Sequence, residues 1–455
     1  MPASGAVEHS IWEAGPQEVV QDALRRHRAA SRGFRMAVAV TGVLFLVGIG
    51  GFALRLAGGF QDRAAWGYYA TTFAYLLATV QTAPLVSMGL LLTKAHLQRS
   101  LSRPAVLFAA PGLLVFLMFL PLLALIPPVQ GRNSIWFQWP VGAPYALDTL
   151  ALGFLVLCGL VFLWANSWPD LAMLRRLARG RRAWLAGILA PHWLGTQRQW
   201  QVLKKAMVAL GALYFVALVF NHTVLSIDLS MSLVPGWRSA IYGPYHIITS
   251  LLGGVAATIV AMALFRLAGF RSYLLLDHFW ALGRLLLTFA LLSIYFWWSE
   301  FIILWYGRTP QEQTLFQLIM TGPYQPVFLA GFTLSFLVPL LALLWNPVRQ
   351  SILGPTLVAC VVLVGLFLDR IRLYVMAFSA AQPGIHPIEQ VPPPHLPDGA
   401  DLMIMVGLPA GAIFLYLLAS RLVPGMSVWE IQEGQLLRVA RRYLRRETYS
   451  LGKPE

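Results

Sequence analysis

Apolar residues gather along this chain into ten long runs, and the polar residues between them come in brief clusters. The runs cover about 36 to 57, 66 to 92, 104 to 126, 144 to 165, 205 to 227, 241 to 265, 281 to 306, 326 to 345, 351 to 378 and 402 to 421. Each holds the roughly 20 residues that a helix needs to cross ~30 Å of hydrocarbon, where the backbone must satisfy its own hydrogen bonds. The pattern predicts an all-α, polytopic integral membrane protein with ten transmembrane spans. A polar segment, 1–34, precedes the spanning domain at 35–425, and a basic tail, 426–455, follows it. Most loops are short, so a soluble catalytic domain would have to belong to another subunit.

Composition agrees with this pattern, since 58% of the 455 residues are hydrophobic and only 12% charged. The net charge of +15 raises the alternative of a nucleic-acid partner, and the distribution of the cations decides against it. With a cytoplasmic N-terminus, all but seven of the 34 Lys and Arg fall in cytoplasmic segments. The exceptions are Arg55, Arg63, Arg132, Arg238 and Arg308 in outer segments and Arg370 and Arg372 in the ninth span. The basic groups are therefore read as inside anchors facing membrane lipids, with both termini cytoplasmic. Cys158 and Cys360 each lie in an apolar run without a thiol neighbour, which provides neither a disulfide scaffold nor a Cys-ligated iron-sulfur cluster.

Four connecting segments carry information. The outer loop Gln130 to Pro144 holds Trp136, Phe137 and Trp139, aromatic residues that anchor at the interface or dock a partner. The inner segment Ser167 to Trp200 opens with Ser-Trp-Pro-Asp, a helix-starting sequence, and is expected to form a surface helix. From Ala381 to Asp401 six prolines and no Lys or Arg predict an extended outer segment, either a linker or a strap along another protein. Arg438 to Arg446 is expected to be a cytoplasmic helix, and Pro16 to Arg28 a short amphipathic helix or a frayed tail.

Asp148, His222, Asp228, His246, Glu300 and Asp369 lie within or beside the apolar runs, all toward the outer face. A charge in hydrocarbon costs roughly 2.5 to 3.5 kcal/mol on insertion scales, so several at one depth point to a buried polar site. His222 and Ser226 share a face of the fifth span and Asp228 sits near its end; an imidazole beside a carboxylate can relay protons, or it can simply hydrogen-bond between helices. Asp148, at the start of the fourth span, suits either a helix cap or a deprotonating base. Glu300 is surrounded by the bulky groups of Tyr295 to Tyr306, which suits a carboxyl that carries protons. Asp369 and Arg372, three apart, read first as an ion pair and second as part of a proton path. Haem ligation by His222 and His246 is a weaker reading, and no metal motif, Walker loop or dinucleotide fingerprint is found.

These residues resemble the NrfD/polysulfide-reductase membrane-subunit family, nearest its ten-helix branch in alternative complex III. The strongest element is His222-Thr-Val-Leu-Ser-Ile-Asp228 followed by Pro235-Gly-Trp-Arg and Gly243-Pro-Tyr245. Weaker elements are Pro144-Tyr-Ala-Leu-Asp148, Trp168-Pro-Asp-Leu-Ala-Met-Leu-Arg175, Ser299-Glu-Phe-Ile-Ile-Leu-Trp-Tyr-Gly307, Leu368-Asp-Arg370 and Arg421-Leu-Val-Pro424. The resemblance implies two four-helix bundles, spans two to five and six to nine, flanked by spans one and ten. It also implies a bacterial cytoplasmic (inner) membrane and a quinol or quinone (menaquinone or ubiquinone) bound near the outer face, with no redox metal in the subunit itself. Electrons would pass to or from a ferredoxin-like iron-sulfur subunit on the outer side, with a multihaem cytochrome c and a second NrfD-like subunit as further partners.

By the same resemblance Asp148 takes the place of the quinone-site acid, with Gln81, Gln130, Arg132, Trp136 and Tyr145 around the head group. His222, Asp228, Glu300, Asp369, Arg370 and Arg372 take positions of a proton path. Where the complex III branch has histidines in spans two and three, this chain has Gln81 and Gln130, which donate hydrogen bonds but accept no proton near neutral pH. Two other readings follow, a membrane anchor or proton-conducting subunit whose quinone site has decayed, and a secondary transporter.

Overall fold

The computed structural model describes residues 15–28, 30–95, 97–127, 136, 143–177, 180–380, 388, 391–443 and 446–451. Among them, α1 (Pro16–Arg28) precedes nine helices long and apolar enough to cross a membrane. In chain order, with short intervening elements numbered in sequence, these are α2 (Arg32–Ala57), α3 (Ala64–Leu92), α4 (Gln98–Leu125), α5 (Tyr145–Leu177), α7 (Gln197–Leu233), α8 (Tyr242–Leu267), α9 (Leu276–Gly307), α11 (Gln325–Leu344) and α13 (Gly399–Leu422). The short elements are α6 (Arg181–Leu189), α10 (Pro310–Phe316) and α14 (Val428–Leu436). The ninth predicted run, 351–378, is helical too: α12 (Leu353–Arg370) continues through a π-turn at Ile371–Val375 into Met376–Ser379. It stands outside the nine and carries Asp369, Arg370 and Arg372 at its end.

Helices α3, α4, α5 and α7 pack as one four-helix bundle, and α8, α9, α11 and α12 as a second. They meet where α8 lies against α3 and α7, and where α12 lies against α3. The closest approach is at Gly254, where an added Cβ would stand 2.7 Å from the Thr82 backbone; at Gly253 one would stand 3.3 Å from the Thr79 side chain and 3.4 Å from the Ala78 carbonyl. Helices α2 and α13 pair outside both bundles. Their contact is made by glycines: a Cβ on Gly407 would lie 2.2 Å from Gly48 Cα, and one on Gly411 would meet the Phe45 ring. Small residues at such spacing let backbones touch, which replaces the hydrophobic drive that lipid does not supply. Arg55 closes one end of the pair on Asp398 (2.7 Å) and Asp401 (2.8 Å).

Three local expectations change. Ser-Trp-Pro-Asp does not open a new helix; α5 runs unbroken from Tyr145 to Leu177 with Pro169 inside it. The surface helix expected after it is reduced to the nine residues of α6. The described residues of the basic segment expected as a helix from Arg438 to Arg446 are extended: Arg438–Tyr443 (β1) pairs antiparallel with Arg446–Leu451 (β2), after the helix α14. The face of the molecule that holds α1, α14 and the α3–α4, α5–α7 and α8–α9 connections is called the terminal face below, and the opposite end the far face.

Candidate functional site

Helix α3 breaks at Val80-Gln81-Thr82, just ahead of Pro84, which has no amide hydrogen to continue the ladder. The break presents the Thr82 hydroxyl to α7, where it lies 3.2 Å from His222 Nε2. On its other edge His222 Nδ1 is 3.2 Å from His246 Nδ1 of α8 and 3.3 Å from the Ser250 hydroxyl. His246 Nε2 in turn lies 3.0 Å from the Tyr374 hydroxyl, in the π-turn that follows α12. Four polar side chains from four helices thus form one line across the junction of the bundles, and His222 and His246 are wholly buried. Two metal–nitrogen bonds of ~2 Å would set the facing nitrogens about 4 Å apart, so this direct contact does not match paired axial ligands.

The charged groups adjoin this line. Arg370 reaches Thr249 (2.8 Å) and Ser250 (3.4 Å), so it touches the hydroxyl that also faces His222. Asp369 accepts from Arg372 (2.6 Å), Arg370 (3.4 Å) and the Tyr245 hydroxyl (3.0 Å). The π-turn is the device that makes this work. One extra residue per turn rotates Arg372 and Tyr374 relative to Asp369, letting all three face the interior, and such bulges recur at functional sites. Arg372 also bonds the Ile319 carbonyl and lies over the Phe328 ring at 5.3 Å.

Around this cluster, Asp369, Arg372, Tyr245, Ser293 and Ser335 help line a cleft of about 30 Å³ inside the second bundle. That is room for about one water, and the site is polar enough to hold it. Glu300 of α9 sits at the far-face edge, accepting from Ser239 (2.5 Å) and Trp237 (3.3 Å). The Trp237 ring packs on Tyr242 at 4.7 Å, and Tyr242 lies edge-on to His246. Asp228 is fully buried near the end of α7, where its carbonyl accepts from Ser232.

The residues expected around a quinone head group are only partly brought together. Asp148 is buried in α5 and accepts from Trp136 Nε1 at 2.9 Å; the Trp136 ring faces Phe220 of α7. Tyr145, one turn earlier, donates to the Ile126 carbonyl. Gln81 belongs to a different setting. Its side-chain carbonyl accepts from Tyr214 at 3.0 Å, and its amide nitrogen lies against Gly112, where a Cβ would collide with it. Gln130 and Arg132 fall outside the described residues.

Sequence reasoning did not single out Thr82, Thr249, Ser250 or Tyr374. The available signal was Pro84 interrupting an apolar run and leaving a hydroxyl beside the break. It also missed a second buried cluster, at the terminal face. There Arg103 of α4 pairs with Asp170 at 2.6 Å and also bonds Ser167. Asp170 accepts the backbone amides of Val428 and Trp429, and Glu430 accepts from Asn166 (3.2 Å) and Gln98 (3.0 Å), which fastens α14 onto the first bundle. Among the described residues no group of three or more His, Cys, Asp or Glu could hold a metal ion. No family model matches the sequence, and no curated protein matches it.

Proposed function

We propose that this chain is the quinol- or quinone-interacting subunit of a respiratory electron-transfer complex of the NrfD/polysulfide-reductase kind. It would act in a bacterial cytoplasmic membrane with both termini cytoplasmic and an iron-sulfur subunit at the far face. One observation carries the reading: a line of titratable and hydroxyl side chains, Thr82, His222, His246 and Tyr374, joined to Asp369, Arg370 and Arg372 in an otherwise apolar interior. Polar groups at that depth are costly and mark pathways for protons or ions. Imidazoles in mutual hydrogen-bond contact pass a proton by exchanging donor and acceptor roles, as redox chemistry of a quinol requires.

In this reading Asp148 is the base. A quinol gives up two electrons to the iron-sulfur partner and two protons in succession to the Asp148 carboxylate, which Trp136 orients from 2.9 Å and which releases the first proton to the far face before it takes the second. Asp148 acts without a second base, since Gln81 and Gln130 take no proton near neutral pH. Replacing Asp148 by Asn, in the complex isolated with its partners, is expected to lower quinol-dependent reduction of the acceptor by at least ~100-fold, as for loss of a general base, with subunit composition unchanged. Unaltered turnover would remove Asp148 from the mechanism.

A second reading has a specific observation behind it. Gln81 is turned to Tyr214 and Gly112, and the ionisable line lies at the bundle junction, which fits a proton-conducting or anchoring subunit without quinone chemistry. A quinone-analogue titration separates the two: saturable binding that Asp148→Asn weakens supports the first, and no binding to the intact complex supports the second.

A further inference from the structure

A slot of about 560 Å³ opens at the terminal face between α3, α8 and α13, with α1 and the chain after α13 at its mouth. This volume is within the ~300–1,000 Å³ of small-molecule sites. Its walls are apolar, built from Tyr75 and Val80 of α3, Phe108 of α4, Ala257 and Ala261 of α8 and Tyr416 of α13. Its mouth is cationic: Arg25, Arg26 and Arg421 line it with the hydroxyls of Ser31 and Ser420, and among its lining residues there is no carboxylate.

Length and charge together define the occupant. Arg421 and Pro409 both line the slot and are twelve residues apart on α13, about 18 Å of helical rise. That is close to the depth of one leaflet, half of ~30 Å. The cations sit at the end where a headgroup would lie. Asp22 engages two of them, at 2.6 Å from Arg26 and 2.8 Å from Arg25, and Tyr273 also donates to it. Arg26 is braced further by the Gly269 carbonyl and the Phe270 ring, and Arg421 lies 4.0 Å over the Phe34 ring. A neutral quinone head would gain only hydrogen bonds from such a mouth, whereas a phosphate gains charge-assisted ones. Basic pockets between spanning helices bind anionic lipid headgroups in this way.

We propose that this slot is a binding site for an anionic phospholipid, with its phosphate among Arg25, Arg26 and Arg421 and an acyl chain running along α13 toward Pro409. A bound lipid would add to the direct contacts of α1, Arg26 with the Gly269 carbonyl and Asp22 with Tyr273, and the site is independent of the redox reading above. The test uses the full chain in detergent, stripped of lipid and titrated with phosphatidylglycerol or phosphatidylcholine, with bound lipid counted by native mass spectrometry. Phosphatidylglycerol is expected to bind at one per chain and phosphatidylcholine far more weakly. Arg25→Gln and Arg421→Gln, which leave the Arg26–Asp22 pair in place, should each weaken phosphatidylglycerol about fivefold. Ala261→Ile, which narrows the slot without touching the arginines, should weaken both lipids. Equal binding of the two lipids by the unmodified chain, arginine variants with undiminished affinity, or a quinone that competes with phosphatidylglycerol for the slot would each overturn the proposal.

Discussion

Asp369 holds the charged part of the site together. Its carboxylate is the shared partner of Arg370 and Arg372, both almost fully buried, so removing its charge would leave two guanidiniums facing each other in the interior. Breaking a buried pair costs about 3–5 kcal/mol, far more than the pair itself contributes, because the remaining charge has no water. Asp369→Asn is accordingly expected to lower the thermal unfolding temperature in detergent, and Asp369→Asn with Arg372→Met to recover much of the loss. A single variant as stable as the parent would show that Tyr245 and the backbone suffice. The Asp369–Arg372 pairing was legible from its spacing of three on a helix, and His222 from its depth. Tyr374 and Thr82 were not, because a hydroxyl in a spanning helix usually bonds its own preceding turn, and nothing local marks the two that reach across.

At the scale of elements, α14 shows how a charge can control docking. Burial pushes the Glu430 carboxyl from near 4.5 up to about 7, opposed by Arg103 and by its hydrogen bonds. The folded state therefore holds a proton that the undocked segment releases, so this contribution to docking is present at low pH and is lost as pH rises from about 4.5 through 7. Hydrogen exchange at 428–436 is expected to quicken from pH 5 to pH 8 beyond the intrinsic rate, and Glu430→Gln to remove that excess. A pH-independent excess in the parent would refute it. The spans themselves were legible because lipid permits little but helix. The helix start at Ser-Trp-Pro-Asp was misread because neighbours clasp the helix on both sides of Pro169: Arg103 and Trp429 bond the Asn166 carbonyl, and Arg103 pairs with Asp170.

For the whole molecule the bundles are joined where α8 packs on α3 around Gly254, against the Thr82 backbone, and their outer flank is sealed by α2 against α13. Gly407→Val is expected to separate that pair, since the new side chain would occupy the place of Gly48. Loss of a disulfide engineered between Cys replacements at positions 44 and 408 would report it, while the two bundles keep their own unfolding transition. The bundle grouping was not readable from hydropathy, which finds spans but not neighbours; only the resemblance supplied it.

The pairing of α2 with α13 also bears on how the chain is made. Within α2 only Gly48 and Gly51 are buried, and α13 supplies their partners more than 350 residues later. Helix α2 therefore waits among lipids while the eight spans between it and α13 are made, its glycine surface open to any passing helix. Ribosomes stalled before residue 399 should leave α2 held only by its short link to α3 and by Phe52 against Tyr69, and completion of α13 is the act that fastens it.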